Sequence, residues 1–265
     1  MIEITDFCGE KIEFTTWKFP TGETGFKLTD PDKIFNAMVT TVYETNEDIF
    51  LTLLAVDALR EVNAEVCVYI PYLPYSRQDR VCHKGESHSL NVLLGMIKSS
   101  GVQFVTDDIH NPQSLSLCEN LSNYPQSKLS SYLPKFDMII APDKGAASKI
   151  MENQQVREGT PVITLNKQRI GQDVVYMNHE FDTIKGNVCV VDDLCDGGGT
   201  FISLAKMLKE TQPEITSLSL YVTHGFFTKG IDVIKQHYDD IYVYNLYNKE
   251  CVNSVINLKG QYDFS

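Results

Sequence analysis

NVCVVDDLCDGGGTFISLAKMLK, residues 187–209, decides the fold of the chain around it. Val188 to Val191 form an apolar, β-branched run of the kind buried in parallel sheets, and from Thr200 to Lys209 apolar residues recur at helical spacing. Residues 192–199 are therefore expected to be a strand-to-helix turn, where open α/β sheets put their sites. Asp192 and Asp193 stand at its start, and a deprotonated pair can accept hydrogen bonds from vicinal hydroxyls or hold a hydrated divalent cation. Asp196 adds a third acid. Gly197, Gly198 and Gly199 let the backbone turn tightly and expose N–H groups, which suit a phosphate together with the positive end of the helix opening at Thr200. A plain glycine-rich connection would explain the glycines, but not the acids beside them.

Outward from this stretch, strands are expected at 66–70, 102–106, 137–141, 161–165 and 217–222, with shorter ones at 3–5, 11–18, 25–28 and 37–42. Helices are expected at 46–62, with Asn46 as cap and Ile49, Leu53, Val56 and Leu59 as apolar stripe, at 89–98, from 146 onward, and at 231–238. A polar connector at 114–135 could hold a short helix at 117–122. Strands alternating with helices indicate an α/β protein with mainly parallel sheets flanked by helices. The connector places a boundary between subdomains 1–130 and 131–265.

With 265 residues, 43% of them hydrophobic, the chain can bury one large core or two of ordinary size. A net charge of −12 with no basic stretch argues against a nucleic-acid surface. Polyphosphate substrates would then require local Lys or Arg and Mg²⁺ to offset repulsion. No apolar run approaches a membrane span, and MIEITDFCGE has neither a basic region nor a continuous apolar segment, so a soluble, cytoplasmic protein is expected. Seven cysteines without a CxxC pair fit reduced thiols.

Seven segments resemble motifs of the ribose-phosphate pyrophosphokinase family, whose members are tandems of two phosphoribosyltransferase-like subdomains. Residues 192–200 resemble the ribose-phosphate loop of that fold. This implies that Asp192 and Asp193 hold the ribose 2- and 3-hydroxyls, and that Asp196, Gly197, Gly198, Gly199 and Thr200 wrap a 5-phosphate. Gly197 departs from the pattern, since the family usually has Thr or Ser there; one hydroxyl donor is missing. Ile70-Pro-Tyr-Leu-Pro-Tyr-Ser-Arg-Gln-Asp-Arg80 is similar to the family's IPYFPYARQDR segment, which implies that Arg77, Gln78 and Asp79 bind ATP; guanidinium forks suit phosphate oxygens. FPTGE at 19–23 resembles the other ATP segment, which reaches a neighbouring subunit's site, and so implies ATP contacts from Phe19 and Glu23 and a homo-oligomer of at least two chains. Thr21 stands there in place of the usual Asn or Asp.

Asp108-Ile-His110 with Gln113 resembles the DLHAxQ turn, whose His is implicated in Mg²⁺–ATP binding; Mg²⁺ prefers oxygen, so His110 would act through water. Pro142-Asp-Lys-Gly145 resembles the diphosphate turn, implying Asp143 as a Mg²⁺ contact and Lys144 and Gly145 as part of a diphosphate cradle. Lys167 and Arg169 match a Lys-x-Arg on the family's mobile loop, implying that they are the catalytic cations. Thr223-His224-Gly225 matches a THGxF turn.

The resemblance implies Mg²⁺-dependent transfer of the β,γ-diphosphate of ATP to the anomeric hydroxyl of ribose 5-phosphate, releasing AMP. Its partners would be ATP and a ribose-phosphate acceptor, with no nucleic acid and no membrane. The roomier loop at Gly197 would also suit an esterified 5-phosphate, as in ADP-ribose. A phosphoribosyltransferase consuming PRPP would leave the Arg77 segment and the Lys167 loop without a task. A silent regulatory paralogue is disfavoured by retention of Lys167, Arg169, His110 and Asp143.

Overall fold

A computed structural model describes residues 1–165 and 183–259, with the backbone of two strands between them, and it divides into two units, Met1–Tyr124 and Pro125–Ser265. The first unit contains β1 (Ile2–Thr5), the hairpin β2 (Phe14–Lys18) and β3 (Thr24–Leu28), β4 (Asn36–Thr41), α1 (Asn46–Glu61), β5 (Glu65–Tyr69), α2 (Ser89–Ser100), β6 (Gln103–Asp107) and β7 (Leu121–Tyr124). Its sheet runs β1-β4-β5-β6-β7, parallel from β4 to β7, with β1 antiparallel at one edge.

α1 opens with a capping box, in which Thr45 and Asp48 satisfy each other's backbone N–H groups. Thr45, not Asn46, is thus the cap: it is the residue in extended conformation, with an acid three positions on. The Asn46 side chain instead accepts from the Tyr43 hydroxyl at 3.0 Å and from the Tyr75 hydroxyl. On the inner face Thr52 takes a buried place, its hydroxyl 2.7 Å from that of Thr41, while Leu53 is only half-buried. α2 buries Leu90, Leu93, Leu94 and Ile97, one stripe at helical spacing, and stops at Gly101, whose φ of 70° costs a glycine nothing. No helix spans 117–122. A 3-10 turn occupies Pro112–Leu117, and β7 follows as an edge strand with Leu121 its one residue buried in the core.

The second unit adds α3 (Gln126–Leu129), β8 (Met138–Ala141), α4 (Lys144–Ile150), α5 (Gln154–Arg157), β9 (Val162–Thr164), the hairpin β10 (Lys167–Ile170) and β11 (Asp173–Tyr176), β12 (Gly186–Cys195), α6 (Gly199–Thr211), β13 (Ile215–Gly225), α7 (Asp232–Lys235), β14 (Ile241–Leu246) and β15 (Ile256–Asn257). Its main sheet runs β15-β14-β13-β12-β8-β9, all parallel. Side chains alternate across β12. Val188 and Val190 pack with Phe201, Leu204 and Leu208 of α6, while Cys189 and Val191 pack with Ile150 of α4, Leu129 of α3 and Tyr221 of β13. Both faces are covered, which is why the strand reads as continuously apolar. Each fully buried leucine there contributes roughly 1.5–3 kcal/mol of apolar transfer. The 231–238 helix is shorter than expected; Tyr238 leaves it to donate its hydroxyl to the Phe201 carbonyl at 2.9 Å.

Candidate functional site

β12 outlasts its apolar run. Pairing with β13 continues through Asp192 opposite Val222, Leu194 opposite His224 and Cys195 opposite Gly225, so both acids lie on the strand's last turnings and the turn itself is only 196–198. Sequence alone puts the end at Val191, because carboxylates are turn residues by habit; the long strand β13 alongside keeps the ladder going. Asp193 is buried, and its Oδ2 accepts from Lys149 Nζ at 2.9 Å in an ion pair whose side chains are 6% (Lys149) and 12% (Asp193) exposed. Asp192 Oδ1 accepts from the Asp193 N–H at 2.9 Å. Lost solvation, then the charges of Asp193 and Asp143, push the Asp192 carboxyl well above the usual carboxylate range; the Asp193 N–H and Lys149 oppose this without overcoming it. Such a pair is relieved by whatever brings O–H donors or positive charge to it.

Lys149 was not singled out from the sequence. Its signal was position, since it precedes buried Ile150 and follows buried Ala146 on α4, a place where a solvated lysine does not belong. The same helix begins at Lys144, capped by Asp143, whose Oδ1 accepts from the Ala146 N–H at 3.0 Å. Lys144 and Gly145 are exposed, and Asp143 is half-buried.

Gly198 caps α6 at φ 78°, and a Cβ there would meet Ile234 Cδ1 at 2.7 Å, so both conformation and packing require glycine. Gly199 differs: a Cβ there meets nothing within 4 Å. The THGFF segment runs beside the turn. Cys195 O accepts from the Phe226 N–H at 2.9 Å, and Asp196 is held at both ends by Thr228, backbone to backbone at 3.1 Å and hydroxyl to carboxylate at 2.6 Å. Cys195 is fully buried, and burial beside Asp192 and Asp196 pushes its thiol pKa up, which makes it packing and not a nucleophile.

In the first unit, the Pro71–Arg80 segment and the turn after β6 are tied together: Asn111 Nδ2 donates to Asp79 Oδ2 at 2.7 Å. Tyr75, at φ 63°, turns the first of these, and Asp108, at φ 41°, turns the second while remaining buried. Arg77, Gln78, Arg80 and His110 are exposed, and Asp79 is half-buried. Phe19 and Glu23 close the β2–β3 hairpin, the Phe19 N–H donating to Glu23 O at 2.8 Å, and both side chains are exposed. The Phe19 ring lies edge-on to Trp17 at 5.8 Å. Lys167 and Arg169 fall on the backbone of β10, where a polar loop was expected; their side chains lie outside the described residues. Among the described residues no three His, Cys, Asp or Glu side chains converge as a metal cluster, and no helix is long and apolar enough to cross a membrane.

Comparison with known proteins bears on both units. The family model for the N-terminal domain of ribose phosphate pyrophosphokinase matches residues 10–101. A ribose-phosphate pyrophosphokinase of Pyrococcus abyssi is 31% identical over 229 residues, covering 84% of this chain and 79% of its own length. One from Thermococcus kodakarensis is also 31% identical, over 254 residues, covering 90% of this chain and 87% of its own. The crystal structure of phosphoribosylpyrophosphate synthetase from Mycobacterium smegmatis superposes with a TM-score of 0.73 at 21% identity, covering 89% of this chain and 80% of that one. That likeness is one of fold, and it extends across both units.

Proposed function

The chain belongs to the ribose-phosphate pyrophosphokinase family of diphosphotransferases, and on that premise we propose that it transfers the β,γ-diphosphate of ATP to the anomeric hydroxyl of ribose 5-phosphate, with Mg²⁺, and releases AMP. The observation that carries the proposal is the Asp192–Asp193 pair at the end of β12, one acid neutralised by Lys149 and the other held above its ordinary pKa, running directly into the Gly198-capped turn of α6.

In this reading Asp192 and Asp193 accept hydrogen bonds from the acceptor's vicinal hydroxyls, and the turn 196–200 takes the 5-phosphate on backbone N–H groups. Arg77, Gln78 and Asp79, with Phe19 and Glu23 of the hairpin, hold the nucleotide. The oligomer follows from the hairpin's role in a neighbouring chain's site. Asp143 and Asp192 are oxygen donors whose mutual repulsion a hard cation would relieve, so the second unit's turn fits Mg²⁺. Asp143 would hold it there, and His110, through water, would meet the Mg²⁺ that accompanies the nucleotide. The bound ion supplies charge neutralisation on the phosphates. Lys144 and the amide of Gly145 cradle the diphosphate, and Lys167 and Arg169 meet the charge that develops as the sugar oxygen attacks the β-phosphorus in line. Positioning and neutralisation suffice, and no side chain is assigned as general base.

Incubation of the full chain with ATP, Mg²⁺ and ribose 5-phosphate, followed by phosphorus NMR, should give AMP and a sugar 1-diphosphate in equal amounts; formation of ADP would overturn the reading. Lys167→Ala should lower kcat by roughly 10²–10³ with little change in KM. Open space at Gly199 favours one second reading, the same transfer to an esterified 5-phosphate such as ADP-ribose. AMP release with ADP-ribose but not with ribose 5-phosphate would select it.

A further inference from the structure

The turn at 196–200 has no side chain at Gly197, and a lysine stem lies beside that bare position. A Cβ on Gly197 would lie 3.2 Å from both Cδ and Cε of Lys229 and 3.4 Å from its Cγ, so the lysine's aliphatic stem lies along the bare backbone of the turn. The backbone that carries Lys229 is tied to the turn next door, since Thr228 bonds Asp196 through both its N–H and its hydroxyl. Lys229 is exposed and forms no salt bridge with a described residue, whereas Lys149, the other lysine close to the acids, is buried and committed to Asp193. Gly197 carries no positive φ, so its backbone does not demand glycine; a side chain there would instead have to push the Lys229 stem aside by a few tenths of an ångström.

We propose that Lys229 is an acceptor-binding residue, whose ammonium pairs with the phosphate on the ribose 5-carbon in place of the hydroxyl that position 197 lacks, and that Gly197 is glycine to let the stem lie there. A dianion entering a turn that carries Asp196 and follows Asp192 and Asp193 of β12 meets repulsion, and an exposed lysine at its rim supplies the opposing charge. A point charge on a flexible stem, unlike a short hydroxyl fixed at 197, tolerates a phosphate that is bare or esterified. The inference rests on the acceptor site proposed above but not on the chemistry performed there.

Binding without ATP separates the two. In calorimetry with the full chain, Lys229→Ala should weaken ribose 5-phosphate about tenfold, a change of ~1.4 kcal/mol, and leave the ATP KM unchanged, while Lys229→Arg should retain most of the affinity. Gly197→Thr alone should also weaken binding, because the new side chain must displace the stem. The double variant Lys229→Ala with Gly197→Thr should bind more tightly than Lys229→Ala alone, since the restored hydroxyl then has room. Thermal melts identify any variant that fails to fold. Unchanged affinity in a folded Lys229→Ala, or strictly additive losses in the double variant, would overturn the assignment. Normal phosphate binding with no AMP formed from any acceptor would instead remove the proposed reaction and leave Lys229 in place.

Discussion

The turn at the end of β12 and the Arg77–His110 region of the first unit, which the proposed function assigns to anions, are built in opposite ways. At β12 the charges are inside: Asp193 and Lys149 are paired out of water, lost solvation pushes the Asp192 carboxyl above the usual carboxylate range, and Gly198 is locked by Ile234. In the first unit Arg77, Arg80 and His110 are exposed, and what the structure fixes is the backbone beneath them, through the Asn111–Asp79 bond and the positive-φ turns at Tyr75 and Asp108. The first arrangement makes binding and stability one problem. The second keeps them apart, because an exposed cation leaves solvent only when its ligand arrives.

The sharpest way to break this contrast is Lys149→Met. It leaves the Asp193 carboxylate buried without its cation, which costs about 3–5 kcal/mol, and should lower the melting temperature by roughly 10 °C. A fall below about 2 °C would mean that the pair is solvated and the contrast unfounded. Arg77→Ala is the counterpart. Losing a charge-assisted contact to a phosphate is worth about 1.5–3 kcal/mol, so the KM for ATP should rise roughly 10- to 100-fold, with melting unchanged to within about 1 °C. A substantial loss of stability there would place Arg77 in the fold and not at the ligand.

How much of this was open to inspection in the sequence follows the same division. Amphipathic stripes such as Leu90, Leu93, Leu94 and Ile97, and the strand-turn-helix frame around 187–209, are legible because burial imposes periodicity. β7 was not. As an edge strand with little but Leu121 turned to the core, it leaves no alternation to detect. The reach of β12 through Asp192 and Asp193 was hidden because ladder pairing with β13, rather than local preference, keeps two acids in a strand. Lys149 was hidden as well, since lysine reads as solvent-facing and its partner is remote in sequence. For the motif residues whose side chains the structure describes, exposure or burial, which decides how they respond to substitution, came only from the structure; Lys167 and Arg169 lie outside those residues.

Asp192→Asn tests the contrast through pH. A carboxyl whose folded pKa lies above its unfolded value gives stability below about pH 4 that is lost as pH rises through the raised pKa. The asparagine removes that slope. The variant should match the parent near pH 4 and exceed it in stability at neutral pH, while acceptor affinity falls. No gain on going from pH 4 to 7.5 would show that Asp192 ionises freely and that β12 is not under charge strain.

The smallest effect belongs to Thr228→Val, and it asks where the interior regime ends. Asp196 lies just past the strand that carries Asp192 yet is exposed, and Thr228 is exposed too, so their 2.6 Å hydrogen bond competes with water. Its loss should cost under about 1 kcal/mol and move melting by less than about 3 °C. Because the same residue seats Lys229 against Gly197, the acceptor should nonetheless weaken, by about two- to fivefold, or ~0.4–1 kcal/mol. If instead melting drops as far as for Lys149→Met, the whole turn is one buried unit. A small stability change with weaker acceptor binding would locate the boundary between the two regimes within four residues, where β12 gives way to the turn between Asp192 and Asp196.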